Sequence, residues 1–323
     1  MAFDHKNALW LGTDSGLVKY DSTSWTVYTP ENSPMELFWI WAVAVDKDNN
    51  VWFGNGNHDV GGLMCLSGNE WKLFTPENSS LKSSIIYDIL IDSSNTIWVG
   101  TESGLARIYG NSWKIYDRSN SILPYIWIDD LGLDMEGKIW VGQEAIYSSD
   151  LGAGALLTVS PDGNNWSFNN PSQTGKATNR IRAIACDKRG YMWVSTNFDI
   201  GGDYAVSIYN KKQWISFSLS KGDTSRPYAV ISIAVDKHNN IWFGAYDGLL
   251  MLKQDTSAID SLFAKEGVGV KREFRLIPKS KKEMLYHDVL GRKSSIKGDD
   301  VKKAIGVLIG SDNIKTKKIV TVK

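Results

Sequence analysis

The chain has 323 residues with 36 basic and 36 acidic side chains, so its formal net charge at pH 7 is zero. Its length suits one large all-β domain or two smaller domains. No apolar run reaches the roughly 18 residues that a membrane span needs, and MAFDHKNALW has neither the basic nor the apolar region of a signal peptide. Residues 265–323 hold 16 Lys/Arg against 7 Asp/Glu, whereas the rest holds 20 against 29, and such an acidic main body argues against a nucleic-acid ligand.

From the first residues onward, one sequence motif recurs six times. It consists of an Asp, three or four turn residues, an apolar residue, a Trp and another apolar residue. The Trp follows the Asp by six residues in every copy, at positions 10, 52, 98, 140, 193 and 242. A fixed period of about 42 to 53 residues indicates a repeat architecture.

The segment 81–117 shows the organisation of one repeat. Its runs SIIYDILID, TIWVGT, LARIY and WKIYD, separated by Gly, Asn and Ser, predict four antiparallel strands, here named a to d from the inside outward. The third residue after each Asp is Asn or Gly, which suits a turn position with positive φ, and the Asp carboxylate can cap that turn. Longer connections between strand d and the next strand a predict a β-propeller, with the tryptophans of strands b and d packed between its blades.

Three segments carry a family resemblance: IRAIACDKRGYMWVST, IIYDILIDSSNTIWVGTESGL and VISIAVDKHNNIWFGAYDGL. They resemble the repeats of the two-component regulator propeller family, and the resemblance covers residues 1 to about 255. It implies a propeller like the extracytoplasmic sensor parts of hybrid histidine kinases, often for glycan-derived ligands. No kinase segment follows here, so only ligand binding is carried over. Because only MAF precedes the first copy, we expect either a six-bladed ring or a seven-bladed ring truncated at its N-terminus.

Residues 256–323 lose the repeat. Asp288–Lys293, Gly306–Ile309 and Lys317–Val320 resemble the C-terminal sorting domain of the type IX secretion system. This resemblance implies a small β-sandwich that contacts the secretion machinery, and export to the cell surface or beyond. We therefore expect a propeller domain at 1–255 and a sorting-like domain at 256–323; a basic, partly ordered tail is the alternative.

The candidate ligand site lies where the six copies differ most, at the start of strand a. Topology predicts that these positions meet the d–a and b–c loops on one face of the ring, which we call the mouth. The candidate ligand-binding residues are Trp39, Trp41, Tyr87, Trp127, Asp129, Arg180 and Arg182. Aromatic planes with a few polar groups suit a glycan or another small polar ligand. The alternative is that the tryptophans only plug the channel or pack under loops.

Two classes of function remain open. The leading prediction is an exported binding or sensor propeller with no catalytic residue and no cofactor. The alternative, from a resemblance to streptogramin lyases and lactonases, is an enzyme with a divalent metal in its channel, for which Asp88 and Asp130 are the candidates. The four histidines show no metal-ligand spacing, and Cys65 and Cys186 are predicted to be buried apolar residues and not a disulfide.

Overall fold

The chain folds as an all-β propeller of six antiparallel blades, which confirms the predicted fold class. A computed structural model describes residues 1–36, 39–56, 61–144, 154–169, 180–197, 205–217, 230–245, 248–252, 259, 283–287 and 293–297. In every blade the described strands pair in sequence order from the inner strand a outward, and in blades 1 to 5 they end at an outer strand d. Successive inner strands pack on one another around a central axis.

The strands follow the chain without any crossover. Blade 1 comprises β1 (Ala2–Phe3), β2 (Leu9–Thr13), β3 (Gly16–Tyr20) and β4 (Trp25–Tyr28). Blade 2 comprises β5 (Ile40–Val45), β6 (Val51–Gly56), β7 (Gly61–Ser67) and β8 (Glu70–Phe74), and blade 3 comprises β9 (Ile86–Ile91), β10 (Ile97–Thr101), β11 (Gly104–Tyr109) and β12 (Ser112–Tyr116). Blade 4 comprises β13 (Ile128–Leu133), β14 (Ile139–Gln143), β15 (Leu156–Val159) and β16 (Trp166–Phe168). Blade 5 comprises β17 (Arg180–Cys186), β18 (Met192–Asn197), β19 (Ala205–Tyr209) and β20 (Trp214–Phe217), and blade 6 has three described strands, β21 (Val230–Val235), β22 (Ile241–Ala245) and β23 (Gly248–Leu252).

The repeated Asp caps the turn between strands a and b, as predicted. In blade 3, Asp92 Oδ1 accepts the backbone N–H groups of Ser94 and Thr96, at 2.8 and 3.0 Å. Its Oδ2 accepts the indole N–H of Trp98 at 3.0 Å, and this second bond recurs in all six copies. The third residue after the Asp has positive φ in every copy, for example 63° at Asn95. The conserved spacing of six residues therefore reflects a carboxylate that ties the turn to the Trp.

The b-strand tryptophans fill the spaces between blades. Five of them are at most 8% exposed, and they are Trp10, Trp52, Trp98, Trp140 and Trp193. Trp242 of blade 6 is only half-buried. Most d-strand tryptophans pack on the core shared with the preceding blade, as Trp113 does against the core that contains Trp52. The prediction is wrong for Trp25, which is 51% exposed because it lies on the outer strand of blade 1, where no described core cluster covers it.

The blades approach one another closely at a glycine of strand b. A Cβ atom on Gly12 would lie 2.6 Å from the carbonyl oxygen of Ile40 in the next blade, and a Cβ on Gly142 would lie 2.5 Å from Ile181 Cγ2. Real Cβ atoms do not come so near to other heavy atoms. Glycine at this position therefore sets the distance at which neighbouring blades pack.

Beyond the propeller, the described residues include one hairpin. Strand β24 (Glu283–His287) pairs with β25 (Lys293–Lys297) in antiparallel register. Most of the segment 256–323 lies outside the described residues, so its sorting-like domain and the boundary at 255 stay predictions. Within the described part of the chain, no helix has the length and hydrophobicity of a membrane span.

Candidate functional site

Every inner strand of blades 2 to 6 carries a β-bulge at the same place. In blade 2, Ile40 pairs with Asn55 and Ala42 pairs with Gly54, so Trp41 is the extra residue. The equivalent extra residues in blades 3 to 6 are Tyr87, Asp129, Arg182 and Ile231. Bulges redirect side chains and are common beside functional sites. Four of the seven predicted site residues are therefore bulged residues.

The bulges lie near the start of each inner strand, at the end that follows the d–a connection. This places them on the mouth of the ring, as the sequence predicted. Trp41, Tyr87 and Trp127 come from blades 2, 3 and 4 and form one aromatic row. The rings of Trp41 and Tyr87 stack with centroids 5.5 Å apart and planes 8° apart, and those of Tyr87 and Trp127 lie 6.2 Å apart at 42°. All three side chains are half-buried, so the row keeps some surface for a ligand.

Trp39 lies just before β5 and is 57% exposed. None of the ring contacts described for the mouth involves Trp39, so the structure brings together the other three aromatic residues but leaves this one at the edge of the row.

The charged part of the predicted site continues around the ring into blades 4 and 5. Arg182 Nη1 lies 4.0 Å from Asp129 Oδ2, with side-chain exposures of 13% and 3%. Both are bulged residues of neighbouring blades. The recurring β-bulge therefore positions the ion pair as well as Trp41 and Tyr87 of the aromatic row. Arg180 begins β17, and its side chain lies outside the described part of the structure.

Below the mouth, a central cavity of about 210 Å³ is lined mainly by the inner strands of blades 2 to 6, and Met1 contributes from the start of the chain. Asp88 and Asp130, the candidate metal ligands, line it and are buried. Asp88 Oδ2 accepts the backbone N–H of Leu131 at 3.0 Å, and Asp130 Oδ2 accepts that of Ile184 at 2.7 Å. Each carboxylate thus accepts a hydrogen bond from the inner strand of the next blade, a structural role that the sequence did not indicate.

The metal site stays a prediction without further support from geometry. Among the described residues, no group of three or more His, Cys, Asp or Glu side chains is placed to hold a metal ion. Both cysteines are free thiols; Cys65 is buried, as predicted, whereas Cys186 is only half-buried. Burial raises the pKa of Cys65 to about 12 and that of Cys186 to about 11, which disfavours a reactive thiolate at neutral pH.

Two segments match the two-component regulator propeller family. They are residues 80–103 and 175–198, and each spans the inner strand, the a–b turn and the second strand of a blade. The resemblance seen in the sequence is thereby confirmed for blades 3 and 5. A search of the curated proteins finds no significant match.

Several solved structures share the fold. BT3049 of B. thetaiotaomicron, described as the extracellular domain of a hybrid two-component system, aligns with a TM-score of 0.61 at 20% identity, over 80% of this chain and 34% of its own. PorZ of Porphyromonas gingivalis, a surface component of the type IX secretion system, gives 0.55 at 18% identity, over 79% and 40%. Virginiamycin B lyase of Staphylococcus aureus gives 0.58 at 12% identity, over 78% and 79%.

These similarities show the fold alone, because all three identities are low. The chain also spans only about a third of the length of BT3049 and two fifths of that of PorZ. The three similar propellers are an extracellular domain, a surface component and an enzyme. Because the fold is shared by proteins with different roles, the role of this chain has to be inferred from its own residues.

Proposed function

We propose that the chain is an exported, non-catalytic propeller of the sensor type whose mouth binds a glycan or another polar organic ligand. The observation that carries this proposal is the aromatic row of Trp41, Tyr87 and Trp127, which crosses three blades and is only half-buried. Ligand sites typically combine apolar and aromatic walls with a few placed polar groups. The Arg182–Asp129 pair supplies such groups beside the row.

The row can act on a sugar through its ring faces. The negative face of an aromatic ring attracts the weakly positive C–H groups on one face of a pyranose, while burial of both apolar surfaces removes them from water. Rings from three separate blades can contact successive units of a short oligosaccharide. Arg182 donates, and Asp129 accepts, hydrogen bonds to hydroxyl groups at one end of such a ligand.

A binding experiment tests the proposal. The wild-type protein is screened against a glycan array, and any hit is measured by calorimetry with Trp41→Ala and with Trp127→Ala. Loss of an aromatic anchor costs about 2 kcal/mol, so each variant should bind about 30-fold more weakly. Trp25→Ala is the matched control, because Trp25 is 51% exposed but lies on the outer strand of blade 1.

Two outcomes would contradict the proposal: a wild-type protein that binds no member of the array, or equal losses in the Trp25 control and the mouth variants. Retained folding is checked by circular dichroism, since the half-buried rings also contribute to packing.

We also propose that residues 256–323 direct export through the secretion machinery, which would place the mouth outside the cell. The support is the sequence resemblance of this segment to a sorting domain and the extracellular or surface location stated for BT3049 and PorZ. Deletion of residues 256–323 should retain the protein inside cells that carry the type IX system. Unchanged export of the shortened chain would contradict this part of the proposal and would not affect the binding proposal.

A further inference from the structure

A groove of about 490 Å³ opens on the mouth side of blades 2 and 3. Its walls come from the connections on that side of the ring, namely the d–a connections before and after blade 2 and the b–c connections of blades 2 and 3. The described lining contains three glutamates, one lysine and four hydroxyl groups, and no aromatic residue is among them. We call it the acidic groove, and its chemistry differs from that of the aromatic row.

The acidic groove adjoins the aromatic row at the start of β9. Ser83 and Ser84 line the groove and lie four and three residues before Tyr87, the middle ring of the row. The backbone N–H of Glu102 donates to the carbonyl oxygen of Ile85 at 3.3 Å, which holds the b–c turn of blade 3 against this segment. Because four extended residues span at most about 14 Å, one oligosaccharide can contact Tyr87 and the groove at the same time.

Three carboxylates give the groove its negative charge. They belong to Glu36, Glu77 and Glu102. A hydrogen bond from the Thr75 hydroxyl holds the pKa of the Glu77 carboxyl below its ordinary value, so this group is ionised at neutral pH. Glu36 and Glu77 are exposed and Glu102 is half-buried, so the carboxylates are accessible to a ligand.

The basic residues beside the groove do not cancel this charge. Lys82, the one basic residue in the described lining, donates to Asp117 Oδ2, and Arg118 follows Asp117 in the chain. With these residues counted, four carboxylates stand against two cations. The two arginines of the mouth belong to blade 5. The mouth is therefore acidic beside blades 2 and 3 and carries its arginines elsewhere on the ring.

A buried hydroxyl group lines the groove with its proton unused. Ser83 is 9% exposed, and its Oγ accepts the backbone N–H of Ile85 at 3.1 Å. Among the residues that the structure describes, no acceptor for the Ser83 O–H group is found. A buried donor without an acceptor is costly, and a hydroxyl oxygen of a bound sugar can accept this hydrogen bond.

We propose that the acidic groove binds the amino groups of an oligosaccharide whose other units stack on the aromatic row, an inference that rests on the proposed function of the mouth. No group of three or more acidic, His or Cys side chains in the described residues is placed to hold a metal ion, which disfavours a metal as the ligand. Sugar units that each carry an ammonium group can instead pair with the separate carboxylates through charge-assisted hydrogen bonds. An acidic oligosaccharide would be repelled at this end of the mouth.

Two hexasaccharides that differ only in acetylation test the inference with the full chain. They are the glucosamine hexamer, whose amino groups are charged at pH 6, and the N-acetylglucosamine hexamer, which is neutral. Each exposed ion pair strengthens binding by up to about fivefold, so calorimetry should show about tenfold tighter binding of the glucosamine hexamer. The groove variant Glu77→Gln, Glu102→Gln should lower this preference to about twofold or less, because it removes two of the three carboxylates.

The control variant Glu31→Gln, Glu70→Gln loses the same charge outside the groove. Glu31 has the repeat position of Glu77 in the preceding d–a connection, and its N–H bonds the Thr29 hydroxyl as that of Glu77 bonds the Thr75 hydroxyl. Glu70 begins β8 in a c–d turn, on the opposite face of the ring. Since charges beyond the Debye length are screened, this variant should change the preference less than about twofold.

Support requires that only the groove variant loses the preference and that Trp41→Ala weakens the binding of both hexamers by a similar factor. Four results would overturn the inference: equal affinity of the wild-type protein for the two hexamers, tighter binding of the acetylated one, binding of neither, or equal effects of the groove and control variants. The proposed function would survive each of these results if the glycan array gives another ligand that depends on Trp41. Unfolding curves of both variants show whether a loss comes from a folding defect.

Discussion

Replacing Asp92 with asparagine should destabilise the propeller by about 2 kcal/mol. The carboxylate is 5% exposed, and its two oxygens accept three hydrogen bonds. The asparagine carbonyl can still accept the N–H groups of Ser94 and Thr96. Its amide nitrogen, however, is a donor that faces the buried indole N–H of Trp98, so one charge-assisted bond is lost and one donor is left unsatisfied.

The same reasoning ranks a set of variants. Asp92→Ala removes all three acceptor contacts, two of them to buried donors, and should cost about 4 kcal/mol. In a Trp98→Phe background no indole N–H remains, so Asp92→Asn should cost about 1 kcal/mol less than in the wild type. The coupling between the two substitutions isolates the Asp–Trp bond from the loss of ring volume.

Equilibrium unfolding in urea, followed by circular dichroism and tryptophan fluorescence, gives these free energies. The control is Asp14→Asn, because Asp14 lies in a b–c turn and accepts an exposed bond from Ser15 Oγ at 3.1 Å. This substitution should change stability by less than about 0.5 kcal/mol. The reasoning is refuted if Asp92→Asn costs no more than this control, or if its cost is unchanged in the Trp98→Phe background.

Three further predictions concern packing, thiol reactivity and acid. Gly12→Ala should destabilise the protein by about 1–3 kcal/mol in urea unfolding, because its Cβ would meet a backbone oxygen of the next blade, which cannot move cheaply. Cys65 and Cys186 should resist Ellman's reagent at pH 8 in the folded protein and react once it is denatured, because burial raises both pKa values. The Thr23 hydroxyl bond, helped by backbone N–H groups, holds the pKa of Asp21 well below its usual range, so Thr23→Ala should raise that pKa in a carboxyl NMR titration.

The sign of the acid effect follows from the lowered pKa. The bonds of Asp21 contribute stability that is present above the unfolded pKa of about 4 and is lost as the pH falls through the lower folded value. An Asp21 pKa that Thr23→Ala leaves unchanged would contradict this account. For the packing prediction, the control is Gly68→Asn, since Gly68 has φ 60° and no heavy atom within 4 Å of an added Cβ. Rapid labelling of either folded thiol at pH 8 would contradict the burial argument.

The scaffold could be predicted from sequence because its interactions are local. The Asp, the turn residue with positive φ and the Trp lie within seven consecutive positions. The hydrogen bonds that the Asp accepts all come from the same hairpin. Because the chain contains six copies of this hairpin, the pattern can be recognised in the sequence by comparing the copies. The same comparison identified the start of strand a as the variable region, which the structure places on the mouth.

What the sequence could not predict depends on how strands and blades meet. The bulge at Trp41 is a property of its pairing with β6, and the bulged positions share no residue type. The bond that the Leu131 N–H donates to Asp88 depends on the distance between two blades. The exposure of Trp25 depends on what covers blade 1, which its own repeat does not encode.

The recurring bulge has a consequence for how such a propeller can diversify. A bulged residue is left out of the pairing ladder, so its side chain can be exchanged without altering the register of the strands on either side. Tryptophan, tyrosine, aspartate, arginine and isoleucine already occupy this one position in the five bulged blades. The side chains at the bulged positions can therefore change while the strand pairing of each blade stays the same. A new binding specificity would then need substitutions at only a few positions and no change of fold.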